Sequence, residues 1–101
     1  NSNKTHKNLT IIKTLGHEGL ELIEPSGKIR KIPAFKVNSI SSHGAGDMFI
    51  GALAARYLIG DTMENALVYA QAAAALFISK AEEERAGINQ RAVIDFMENN
   101  L

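Results

Sequence analysis

The stretch from Ser41 to Ala54 (Ser-Ser-His-Gly-Ala-Gly-Asp-Met-Phe-Ile-Gly-Ala-Leu-Ala) constrains this chain more than any other. Gly44 and Gly46 flank Ala45, Asp47 follows at once, and a small, apolar segment then runs on with helical periodicity. Residues without bulk let the backbone turn tightly and bring N–H groups toward one point. The start of a helix adds partial positive charge there. Such a corner suits an anion, commonly a phosphate. A carboxylate beside an anion site is electrostatically awkward unless it has a task, such as taking a proton from a nucleophile. The competing reading is a plain glycine turn with Asp47 as a helix cap.

Around this corner the chain divides into strands first and helices last. Asn1 to Asn8 is polar and reads as a loop. Leu9 to Leu15 is short, β-branched and almost continuously apolar, which predicts a strand buried on both faces, as in a parallel sheet. Gly16 and Gly19 break it. Leu20 to Glu24 predicts a second strand, and Glu24-Pro25-Ser26-Gly27 a type I turn into a third at Ile29 to Ile32, ended by Pro33. Phe35, Val37 and Ser39 alternate with Lys36, Asn38 and Ile40, which predicts a further strand leading into the glycine corner.

Three helices are predicted beyond it. The first runs from about Asp47 to Ile59 and stops at Gly60; its Gly51, Ala52, Ala54 and Ala55 suit close packing on a sheet. The second starts at Thr62 as N-cap, carries Met63, Ala66, Leu67, Ala70, Ala73, Ala74 and Phe77 on one stripe, and ends near Lys80. Ala81 to Gly87 reads as a charged connection. The third covers about Asn89 to Asn99, with Val93, Phe96 and Met97 inward.

Composition narrows the partners. Eleven basic residues balance eleven acidic ones, so no global field draws the chain toward nucleic acid or an anionic membrane. No stretch approaches the roughly 18 apolar residues of a membrane span, and no signal peptide is visible. Cysteine is absent, which excludes disulfides and thiolate metal sites and suits a reducing, cytoplasmic setting. The first methionine is Met48, inside the key stretch, so the 101 residues are expected to be a piece of something longer.

The corner resembles the C-terminal signature of the ribokinase (PfkB) family of carbohydrate kinases, approximately Asp-Thr-x-Gly-Ala-Gly-Asp, three variable residues and Gly-Ala. Gly44 to Asp47 match, Gly51 and Ala52 fall at the right distance, and Ser41 and Ser42 replace the leading Asp-Thr. Thr14-Leu15-Gly16-His17-Glu18-Gly19 is similar to the family's Thr-Leu-Gly-x-x-Gly segment, where a strand ends against the nucleotide. The resemblance covers about residues 9 to 98. It implies an α/β fold, the C-terminal part of a ribokinase-like three-layer α/β/α sandwich, within a chain of about 300 residues.

It also implies a function and its residues. Such a kinase moves the γ-phosphoryl of ATP, with Mg²⁺, to a hydroxyl of a sugar or sugar-like compound. Asp47 would be the catalytic base and the amides of Gly44, Ala45 and Gly46 the anion hole. Thr14, Leu15, Gly16 and Gly19 would border the nucleotide, and Gln71 falls near the adenine pocket. The piece alone would be inactive, because the sugar contacts, the lid, the magnesium-associated Asn-x-x-Glu and any lid-built homodimer belong upstream. Other readings are a nucleotide-binding module without catalysis and a nucleoside or vitamin kinase of the same superfamily.

Several residues weigh against extra chemistry. Many family members place an aspartate at the position of Ser41 for a monovalent cation, completed by carbonyls after the second helix; that acid is absent here, which speaks against the site. His43 reads as an exposed loop residue. His6 and His17 have no partner at ligand spacing, so no metal site is assigned. Glu82-Glu83-Glu84 reads as a solvated run.

Overall fold

The computed structural model describes residues 9–100, so the loop expected over residues 1–8 lies outside the described part. The chain forms two compact units that divide after Ala34.

The first unit is a three-stranded sheet in the order β1 (Ile11–Thr14), β2 (Leu20–Ile23), β3 (Ile29–Ile32). Both pairings are antiparallel, with Thr14 opposite Leu20 and Leu20 opposite Ile32. Alternate residues of a strand share a face. That periodicity puts Leu20, Leu22 and Ile32 on one face, and all three are buried. The hairpin between β2 and β3 closes as its residues dictate: the Gly27 N–H donates to the Glu24 carbonyl at 2.8 Å, and the Glu24 N–H to the Lys28 carbonyl at 2.9 Å. Arg30 Nε donates to Glu24 Oε2 at 2.8 Å across the turn. Pro33 follows the last residue of β3 and has no N–H to extend the ladder.

One expectation fails here. β1 is not buried on both faces, since Ile11, Lys13 and Thr14 are exposed, and it pairs antiparallel rather than parallel. The connection from Leu15 to Gly19 is too short for a parallel return, which needs a crossover of about a dozen residues. Instead a single 3-10 turn, Gly16–Glu18, reverses the chain.

The second unit holds α1 (Ala45–Leu58), α2 (Met63–Ile78), a single helical turn α3 (Glu82–Arg85) and α4 (Gln90–Asn99). The turn α3 lies within the stretch read from sequence as a connection. Thr62 caps α2, its Oγ1 accepting the Asn65 N–H at 3.1 Å, and Asn89 caps α4, its Oδ1 accepting the Ala92 N–H at 2.9 Å. Both follow the rule that a short polar side chain satisfies a first-turn amide. α2 is central, packing against α1 and α4. Its Ala66, Ala70, Ala72, Ala73 and Ala75 are buried, and their small side chains let neighbouring helices approach closely. Tyr69, Ala72, Ala73, Leu76 and Val93 form the core cluster, with Phe35, Met48, Phe96 and Met97 packed on it. The Phe35 and Phe96 rings meet at 5.5 Å, tilted by 54°.

Two further expectations change. Among the described residues no strand forms over 35–40. The alternation survives in burial, with Phe35 and Val37 half-buried and Lys36 and Asn38 exposed, but a strand needs a neighbour to complete its ladder. The Ile40 and Ser41 N–H groups donate instead to the Ile78 carbonyl, at 2.7 and 3.4 Å. Likewise Gly51, Ala54 and Ala55, expected to pack closely, are exposed on α1.

Candidate functional site

The glycine corner is built by two helix ends that meet. α1 begins at Ala45 after Gly44, whose φ of 84° is left-handed and suits glycine. α2 ends at Ile78, and its last carbonyls would be orphans without outside donors. Ile78 receives the two N–H groups of Ile40 and Ser41 noted above. Phe77 packs toward the corner: a Cβ on Gly44 would lie 3.3 Å from Phe77 Cε2. Positive φ and a close ring together disfavour a side chain at position 44.

The first-turn amides are unevenly used. The Ala45 N–H donates to the Ser42 carbonyl at 3.1 Å and the Met48 N–H to the Gly44 carbonyl at 3.1 Å. Among the described residues no acceptor takes the N–H of Gly44, Gly46 or Asp47. The sequence assigned the anion hole to Gly44, Ala45 and Gly46; in the structure the Ala45 amide is occupied internally, while the Asp47 amide is open. Gly46 and Asp47 are exposed, and a Cβ on Gly46 would meet nothing within 4 Å. Open amides at a helix start, unobstructed by side chains, are what an anion requires.

Asp47 is the third residue of α1 and caps nothing; Gly44 holds the N-cap position and no side chain caps the helix. None of the described hydrogen bonds or ion pairs involves the Asp47 carboxylate. Such a carboxylate is free to accept a proton or hydrogen bond from a ligand hydroxyl.

Arg85 is the residue that sequence reasoning missed. It follows the exposed run Glu82 to Glu84 and looks like part of that solvated segment, yet its guanidinium reaches back to the corner. Nη2 donates to the Ser41 carbonyl at 2.7 Å and Nη1 to the His43 carbonyl at 3.3 Å. Nε donates to the Phe77 carbonyl at 2.9 Å and the Lys80 carbonyl at 3.2 Å. The group also lies 4.3 Å from the centre of the Phe77 ring. No local pattern pairs residue 85 with residues 41 and 43; only the folded chain does.

The other predicted site residues sit on separate elements. Thr14 ends β1 and is exposed, Leu15 is half-buried, and Gly16 is exposed in the 3-10 turn with open space beside it. Gly19 is buried, and its missing side chain is explained by the chain itself: a Cβ there would lie within 3 Å of Ile32 O, Pro33 Cα and Ala34 N. The sequence reading gave this glycine to a ligand's approach. Gln71 is half-buried on α2 and already engaged in an interaction. His17 and His43 are exposed. Among the described residues no group of three or more His, Cys, Asp or Glu is placed to hold a metal ion, and no helix is long and apolar enough to cross a membrane.

With this geometry in hand, known proteins give it a family. The sequence pattern of the pfkB family of carbohydrate kinases matches residues 2–86. Over 67 residues the chain is 36% identical to the 2-dehydro-3-deoxygalactonokinase of Haloferax volcanii, covering 66% of this chain and 21% of that protein. It is 30% identical over 89 residues to the ribokinase of Haemophilus influenzae, covering 88% and 29%. The crystal structure of a ribokinase from Cryptococcus neoformans var. grubii in complex with ADP superposes with a TM-score of 0.76 at 28% identity, over 88% of this chain and 29% of that one. The chain thus spans between about a fifth and a third of the length of these relatives. It belongs to the pfkB family of carbohydrate kinases, and its fold is part of the ribokinase-like α/β architecture.

Proposed function

We propose that this chain is the C-terminal portion of an ATP-dependent carbohydrate kinase. The whole protein would transfer the γ-phosphoryl group of ATP to a hydroxyl of a sugar or sugar-like substrate. The observation that carries the reading is the pairing of open Gly46 and Asp47 amides with an unengaged Asp47 carboxylate at one helix start. Support comes from the relatives, which are sugar kinases, and from the ADP held by the Cryptococcus ribokinase.

Each residue has a defined task in this reading. The amides of Gly44, Gly46 and Asp47 donate to the oxygens of the phosphoryl group, with the helix dipole behind them. Asp47 accepts the proton of the acceptor hydroxyl as its oxygen bonds to phosphorus and the bond to the leaving ADP oxygen breaks. Mg²⁺, when bound with the nucleotide, neutralises charge on the phosphates. The described residues offer no metal-binding cluster, so its protein partners are assigned to other parts of the whole protein.

The test uses the full-length protein and a panel of sugars with Mg·ATP. The Asp47→Asn variant should lose about 10²- to 10⁴-fold in kcat, keep its affinity for ATP and remain folded. Unchanged turnover in that variant would remove Asp47 from the chemistry. Binding of ATP without turnover of any acceptor by the unaltered protein would favour a nucleotide-binding module instead.

A further inference from the structure

Backbone carbonyls that converge at a helix end need donors, and one cationic side chain can supply several of them. Here the carbonyls of Ser41, His43, Phe77 and Lys80 all accept from the Arg85 guanidinium. Two belong to the approach to the glycine corner and two to the end of α2, separated by more than thirty residues of chain. All three guanidinium nitrogens are used. No described carboxylate forms an ion pair with Arg85, although Glu82, Glu83 and Glu84 precede it directly. Its charge is therefore committed to neutral oxygens. The Phe77 ring reinforces the arrangement, stacking under the guanidinium while its edge bounds Gly44.

We propose that Arg85 is the positioning residue of the anion-binding corner and acts as its resident cation, gathering four carbonyls so that no bound monovalent metal is required there. The proposal deepens the kinase reading above and rests on residues 44–47 being the phosphoryl site. The planar fork matters, because it spans acceptors on two segments at once, where a lysine ammonium offers one nitrogen. Pulling the Ser41 and His43 carbonyls toward α2 turns the following N–H groups outward as α1 begins. Its positive charge also lies one hydrogen bond from the segment that carries those amides.

The experiment compares full-length wild type, Arg85→Ala and Arg85→Lys in choline, sodium, potassium and dilute guanidinium chlorides at equal ionic strength. Binding of Mg·ADP with aluminium fluoride, a mimic of the phosphoryl group in flight, is measured by calorimetry. Amide hydrogen exchange over residues 41–48 is followed in the same samples. Wild type should bind equally in all four salts. Arg85→Ala should bind about tenfold more weakly or worse in choline, exchange faster over 41–48, and recover both in potassium or guanidinium. Arg85→Lys should fall between them. A wild type that needs potassium, an Arg85→Ala protein that binds normally in choline, or one that is weakened equally in every salt would each overturn the proposal. If wild type fails to bind the mimic in any salt, the anion-site reading falls, and exchange decides the role of Arg85. Unchanged exchange in Arg85→Ala would overturn it, and faster exchange reversed by potassium would sustain it.

Discussion

At Gly19 and Gly44 the same residue type answers two different demands. Gly19 has a φ of 106°, and a Cβ there would sit within 3 Å of the Ile32 and Ala34 backbone, which cannot give way. Gly19→Ala should therefore cost on the order of 3 kcal/mol or more in urea unfolding. Gly44→Ala meets left-handed backbone and a movable ring at 3.3 Å, so about 1–2 kcal/mol is expected. Gly46 separates stability from function. It is helical with open space beside it, so Gly46→Ala should leave the melting temperature unchanged or raised while weakening nucleotide binding by placing a methyl on the anion's approach. Tyr69 supplies a pH prediction. Burial raises its pKa above the usual 10.0, opposed in part by the Arg56 charge, whose guanidinium lies 4.9 Å from the ring centre. The unfolded chain then ionises first, so this contribution to stability is intact below pH 10 and is lost as pH rises through the folded-state value. The alkaline fall in melting temperature should be shallower in Tyr69→Phe.

At the scale of elements, helices were legible and strand partners were not. Thr62 and Gly60 mark helix ends because capping and termination involve atoms only a few residues apart. Thr62→Ala should cost about 1 kcal/mol, read by thermal unfolding. The hairpin at Glu24 to Gly27 was legible for the same reason. The apolar run before Gly16 identified a strand, but apolar content alone does not say which neighbour it takes. The short return at Gly16–Glu18 made that neighbour β2. Residues 35–40 kept the alternation of a strand and lacked the partner that would make one.

Across the molecule, α1 presents Ile50, Ala54, Tyr57 and Leu58 to solvent along one helical stripe, all exposed. Contiguous apolar surface of this kind is normally covered or causes association. In the proposed longer kinase, this surface and the small-residue face at Gly51, Ala54 and Ala55 would be covered by other parts of the fold. The 101 residues expressed alone should therefore self-associate in sedimentation at micromolar concentration and show no phosphotransfer, whereas the full-length protein should keep this face covered and transfer phosphate. A monomeric, active piece would contradict this.

The sequence by itself determined the glycine corner, the acid beside it, the helices with their caps and the tight hairpin. Each is a requirement of backbone conformation or period that a few neighbouring residues satisfy. Tertiary structure alone decided that Gly19 yields to its own chain and that Arg85 serves the corner rather than the solvent. Those outcomes depend on which distant carbonyl or strand edge the folded chain brings within hydrogen-bonding reach, and no local spacing encodes that distance.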